Sequence, residues 1–149
     1  MFDTALSAND LIFLAKGAGM TIFVTLIAVF FGTVLGIVFG IFRYQVGPVI
    51  AAPLTFVLDV FRSIPLLIQL VLANAFLGMV LRLGLSGLTV ACIVLTLYTS
   101  AYCAEIVRGA IESVPQPVRR AARSLGLSWR QDMTNIVLPL AIRVGLPSW

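Results

Sequence analysis

Three runs without a single charge dominate this sequence: residues 17–42, 63–81 and 83–104, of 26, 19 and 22 positions. A bilayer's hydrocarbon core is about 30 Å thick, and about 20 apolar residues of α-helix cross it. In lipid every backbone polar group has to bond within the protein, so only helices or closed barrels can span. These runs are too long and too continuously apolar for the alternating strands of a barrel. The expected fold class is therefore an all-α, multi-pass membrane bundle. Composition agrees, with 60% of the 149 residues hydrophobic and 11% charged, against about 45–50% and about 25% in soluble domains.

Asp3 and Asp10 precede the first run and only Lys16 is basic there, the reverse of a signal-peptide n-region. That run is also longer than a signal core and is expected to remain as the first span. Within it, Gly32, Gly36 and Gly40 recur at every fourth residue. This spacing makes a smooth stripe on which another helix can pack closely. Cys92 and Cys103 lie in one predicted helix, about 16 Å apart along its axis. They cannot reach each other as a disulfide, and with no His in the chain they make no metal set. Both read as small core residues.

After Arg43, Gly47-Pro48 and Pro53 are expected to break helix geometry. Residues 48–61 are expected to form a short amphipathic or interfacial helix, with Asp59 and Arg62 paired at i, i+3. The predicted single domain then has spans at about 17–42, 63–81 and 85–107, a loop at about 114–135, and a partial span from about 136. With the loop cytoplasmic, Arg43, Arg62, Arg108, Arg119, Arg120, Arg123, Arg130 and Arg143 lie inside and Lys16 and Arg82 outside. Eight basic residues against two is the bias of the positive-inside rule. Making 44–61 a further span would strand six of these arginines outside.

The stretch "RRAARSLGLSWRQDMTNIVLP", residues 119–139, reads as two short helices joined by a turn. Pro117 suits a first helical turn, and Gly126 sits where a left-handed C-terminal cap is wanted. Ser128 and Gln131 have the spacing of a capping box, Asp132 favours the second helix's dipole, and Pro139 opens the next apolar run. Two readings stand at this point: a basic loop that only fixes orientation, or a rigid shape built to dock a partner.

The stretch resembles the E-A-A loop of bacterial ABC-importer permease subunits: E-A-A, three residues, G, nine residues, then I-x-L-P. Here the positions are held by Arg120, Ala121, Ala122, Gly126, Ile136, Leu138 and Pro139. "FRSIPLLIQL" (61–70) and "SAYCAEIVRGAIESVP" (100–115) resemble segments of the polar amino-acid (histidine/glutamine-type) permeases, through Arg62, Pro65, Gln69, Glu105 and Arg108. The resemblance runs over about residues 16–149. It departs where Arg120 replaces the leading Glu. Relatives of this kind have five spans, so the resemblance also implies a C-terminally truncated permease.

The resemblance implies the membrane subunit of an ATP-powered polar amino-acid importer in the bacterial inner membrane, not itself an enzyme. Its implied partners are ATP-binding-cassette ATPase subunits that hold the ATP-Mg, a second permease (itself or a sister), and a periplasmic or lipid-anchored solute-binding protein. No cofactor is expected in this chain; the surroundings are membrane lipid, and no nucleic acid is expected. Ala121 and Ala122 would seat in a groove of the ATPase, Gly126 would set the turn, and Leu138-Pro139 would tie the loop to the next span. The sequence itself has no Walker A pattern and no Ser/His/Asp set.

Polar groups within spans usually face the bundle interior, which makes Gln69, Asn74, Thr96, Tyr98, Ser100 and Tyr102 candidates for a solute path. The alternative is that Ser and Thr bond their own helix and the tyrosines sit at an interface. Glu105, Arg108 and Glu112, at i, i+3 and i+7, are expected to form an ion-pair ladder at the membrane edge. Two rival functions remain open: an ATPase-independent secondary transporter, and a non-transporting fragment.

Overall fold

The computed structural model describes residues 8–149, so Asp3 lies outside the described residues. These residues form helices and loops in the order α1 (Ala8–Gln45), α2 (Gly47–Ser63), α3 (Leu66–Ala75), α4 (Gly87–Glu112), α5 (Gln116–Ser124), α6 (Trp129–Asp132) and α7 (Leu138–Gly145). A π turn (Phe76–Val80) extends α3, and a second (Met133–Val137) joins α6 to α7. Two helices, α1 and α4, are each long and apolar enough to cross a membrane. Helix α2 and the α3 segment meet that standard only as a pair, bent by 107°.

Helices α1 and α4 are the spine of the fold. A Cβ on Gly32 would lie 2.6 Å from Thr99 Cβ, and one on Gly40 would lie 2.8 Å from the Ala104 carbonyl oxygen. A Cβ on Gly36 would run into Cys103 and come within 3.0 Å of the Ser100 carbonyl oxygen. The glycine stripe thus meets a small-residue face of α4 in which Ser100, Ala101, Cys103 and Ala104 are all buried. This close approach is what van der Waals association in lipid requires, since lipid tails offer no hydrophobic push between helices. Gly36→Ala is expected to wedge the helices apart and cost about 1–3 kcal/mol, the usual range for overpacking. An unchanged unfolding midpoint in detergent would count against the stripe's packing role. Cys92 and Cys103 are both free thiols, and only Cys103 is fully buried.

The short helix expected at 48–61 and the span expected at about 63–81 meet slightly later than the sequence reading places them: the backbone turns at Ile64 (φ −88°, ψ 129°) and Pro65. Proline drives its predecessor out of the helical region, and here that ends α2 and starts α3. The α3 segment comprises 10 residues plus 5 of π turn, a rise of about 22 Å, short of the bilayer core. Conversely, Pro53 does not break α2, which runs through it. Proline removes one amide bond and crowds the carbonyl four residues back, yet α2 runs on and buries Ala51 and Leu58. The expected break falls instead at Val46–Gly47, where Gly47 takes φ +76°.

At the other end, the π turn before α7 has its own local cause. Pro139 has no N–H for the carbonyl four residues back, and its ring would collide with that carbonyl in a regular helix. Widening to a π turn, closed by the Leu138 amide on the Met133 carbonyl, removes the conflict. Ala110, Ile111 and Val114 of the α4 end then pack with Met133, Val137 and Ala141 in one buried cluster. The loop is thereby bolted to the spine. Trp149 closes the far end of this layer, its indole N–H donating to Thr33 Oγ1 at 3.0 Å.

Candidate coupling loop and charge network

The turn between α5 and α6 is capped on both sides. Gly126, at φ +74°, lets its amide reach the Arg123 carbonyl at 3.0 Å while the Leu127 amide reaches Ala122's at 3.2 Å. Those paired bonds are a Schellman C-cap, and glycine holds the left-handed position without a Cβ penalty. Two residues later, Ser128 and Gln131 form the expected capping box, with the Ser128 amide donating to Gln131 Oε1 at 2.9 Å. Two orphan amides are satisfied reciprocally, so the turn has a defined shape.

Arg119 locks that shape to the spine. Its guanidinium donates to the Tyr44 hydroxyl at the end of α1 and lies 5.5 Å from the Tyr44 ring centroid. Its Nε is 3.7 Å from Asp132 Oδ2, with both side chains nearly buried. The sequence carries no sign that Tyr44 and Arg119 act as a unit, and its pattern makes Asp132 only a helix-dipole partner. The one available signal was that Asp132 is the only acid between residues 113 and 149.

The loop residues divide. Ala122 is 2% exposed and folded inward, while Ala121 and Arg120 are exposed. The two alanines therefore point differently, and Ala122 also gives its backbone carbonyl to the Leu127 amide of the C-cap. Around the turn, Leu125 is 80% and Trp129 49% exposed. Ile136 is partly buried in the π turn, Leu138 packs on the α4 cluster, and Pro139 is exposed.

A second constellation lies where α1, α2 and α4 meet. Glu105 accepts from Arg43 at 3.0 Å, faces Arg62 at 3.4 Å, and pairs with Arg108. Arg62 also holds Asp59, and Arg108 holds Glu112 at 2.6 Å. The expected ladder and the Asp59–Arg62 pair are both present, and tertiary packing fuses them into one network. Arg43, nearly buried and also donating to Thr55 Oγ1 at 2.9 Å, was missed as a member. A lone arginine closing a charge-free run was its only trace.

The polar candidates of the spans do not gather in one place. Gln69 is 6% exposed and donates through Nε2 to the Phe61 and Ile64 carbonyls, each at 2.6 Å. These are carbonyls next to the Pro65 break, so proline makes the gap and glutamine, four residues on, fills it. Gln69→Leu is expected to cost about 2 kcal/mol by leaving buried carbonyls unpaired. Thermal unfolding unchanged from the parent would sink that account. Ser100 donates to its own helix at the Leu97 carbonyl, 2.7 Å away. Tyr98 and Tyr102 stack at 4.8 Å between centroids, and the Tyr102 hydroxyl lies 3.5 Å from the Arg62 carbonyl. The Thr96 carbonyl oxygen would lie 3.0 Å from a Cβ on Gly32, and Asn74 Nδ2 would lie 4.0 Å from one on Gly87.

An all-helical bundle with two long apolar helices, a broken apolar pair and a bolted loop outside them is a multi-pass membrane protein. Residues 32–148 match the family model described as the binding-protein-dependent transport system inner membrane component, and the chain belongs to that family. It is 34% identical over 99% of its length to the probable amino-acid ABC transporter permease protein YckA of Bacillus subtilis (strain 168), covering 65% of that protein. It is 31% identical over 98% of its length to the same organism's probable glutamine ABC transporter permease protein GlnP, covering 66% of it. It is also 33% identical over 89% of its length to the histidine/lysine/arginine/ornithine transport system permease protein HisM of Escherichia coli (strain K12), covering 60% of it. The chain thus spans less than two thirds of each. Among solved structures, an amino acid ABC transporter crystallised with histidines aligns at TM-score 0.76 and 28% identity, over 96% of this chain and 69% of that one. The inward-facing MetNI methionine ABC transporter aligns at TM-score 0.78 and 25% identity, over 96% and 68%. The fold is that of the type I importer permeases.

Proposed function

We propose that this chain is the membrane-spanning subunit of an ATP-driven importer of a polar amino acid in the bacterial inner membrane. The α5–α6 loop faces the cytoplasm and docks the ATPase subunit that binds ATP-Mg. The observation that carries this reading is the doubly capped turn, tied through Arg119 to Tyr44 and Asp132. A loop that merely set orientation would need charge, and it would not need two caps and an anchor. Motion imposed on the loop by ATP-driven closure would pass as a rigid body into α4 and α7 through their shared cluster. Within the loop, Arg120, Ala121 and the Gly126 turn meet the ATPase, while Ala122, Ile136, Leu138 and Pro139 hold the loop's shape and its join to α7.

The same reading pairs this subunit with a second permease, itself or a sister, and with an external solute-binding protein, periplasmic or lipid-anchored. The solute path runs along Tyr98 and Tyr102, which stack on one face of α4, while Gln69 and Ser100 shape the helices through the backbone. Arg62, Pro65, Glu105 and Arg108 set the angle between the broken helix and α4. The deciding experiment is uptake by proteoliposomes containing the whole transporter and loaded with ATP. Uptake of a polar amino acid only when the ATPase is present supports the proposal. Uptake driven by an ion gradient with no ATPase would replace it with a secondary transporter.

A further inference from the structure

Five exposed arginines, Arg82, Arg120, Arg123, Arg130 and Arg143, have no ion-pair partner among the described residues, and three of them cluster. Among the described residues, Asp59, Glu105, Glu112 and Asp132 are all held by Arg43, Arg62, Arg108 or Arg119. Arg120, Arg123 and Arg130 are exposed and have no ion-pair partner among those residues. All three lie on the α5–α6 tip, where no Asp or Glu occurs from 113 to 131. Exposed Leu125 and Trp129 sit between them on the two sides of the turn. No carboxylate among the described residues pairs with this surface.

We infer that the tip fits an acidic-walled groove with an apolar floor on the ATPase subunit. Carboxylates there face Arg120, Arg123 and Arg130, and the floor receives Leu125 and Trp129. This rests on the docking reading above and adds the chemistry of the receiving surface. Anionic lipid headgroups would also attract three arginines, but a headgroup layer asks for no fixed shape. Here the cations and apolar side chains are held in one geometry by the Schellman cap, the capping box and the Arg119 anchor. Guanidinium groups suit such a site because their planar fork grips a carboxylate bidentately. Leucine and tryptophan on a rigid turn supply the anchors that interface cores favour.

The test reconstitutes the whole transporter's permease subunits in nanodiscs, one set of phosphatidylcholine alone and one containing phosphatidylglycerol. Purified ATPase subunit retained on the discs is then measured at low and high salt. Reversing all three charges (Arg120→Glu, Arg123→Glu, Arg130→Glu) is expected to lower retention by about tenfold or more in both lipids, as three exposed pairs together would. Retention by the parent should also fall as salt rises. Because the three side chains have no internal partner, the variant should melt like the parent. Retention unaffected by the reversal would overturn the inference while leaving docking itself intact. A loss confined to phosphatidylglycerol discs would overturn it in favour of the lipid surface. If the parent retains no ATPase at all, the docking reading fails and this inference with it.

Discussion

A Gly126→Val permease is expected to insert and assemble normally yet lose ATP-driven uptake by about tenfold or more, the factor that about 1.4 kcal/mol commands. A Cβ at 126 would meet nothing within 4 Å, so crowding is not the cause. Conformation is. The residue sits at φ +74°, where an L side chain costs about 1–2 kcal/mol and a β-branched one is a genuine outlier. Relaxing that strain breaks the Gly126–Arg123 and Leu127–Ala122 bonds and re-aims α6 relative to α5. ATP hydrolysis by the bound ATPase should then continue without matching uptake. Gly126→Asn, which tolerates the left-handed region, should keep most of the activity. Normal coupling of hydrolysis to uptake in the valine variant would remove the loop from the mechanism.

Glu105→Leu is expected to be the most destabilising single change in the spine. It leaves Arg43, Arg62 and Arg108 converging on one point with no carboxylate between them. Breaking a buried pair by removing one partner costs about 3–5 kcal/mol. Glu105 keeps 30% of its side chain exposed, so solvent screening brings the expectation down to about 2–3 kcal/mol. Thermal unfolding of the purified permease in detergent reads this directly. Pairing it with Arg43→Leu should recover part of the loss, because the two groups share one interaction. Additive losses in the double variant would show that Glu105 acts without Arg43.

The loop's local chemistry was legible because caps are short-range. Gly126, Ser128, Gln131 and Pro117 each specify a backbone state through neighbours within a few residues, and all four do so in the structure. The glycine stripe was legible for a similar reason, since helix periodicity alone puts Gly32, Gly36 and Gly40 on one face. The break at Ile64–Pro65 lies close to the boundary expected between residues 61 and 63, but the glutamine that makes it tolerable acts from four residues away. For Ala121 and Ala122, adjacency hid the fact that neighbouring helical residues point in different directions.

By itself the sequence determined that this chain lives in lipid as helices, because lipid leaves an uncharged run of some 20 residues no other form. It also determined the turns and caps of the loop, whose causes are local. Only the tertiary structure decided which helix the glycine stripe meets and that Gln69 closes a broken helix. It alone joined Arg43 to Glu105, 62 residues away, and Tyr44 to Arg119, 75 residues away. The physical reason is reach. A cap or a helical face is fixed by bonds within a turn or two, whereas an ion-pair partner is chosen by whichever carboxylate the packing of α1, α2 and α4 brings near.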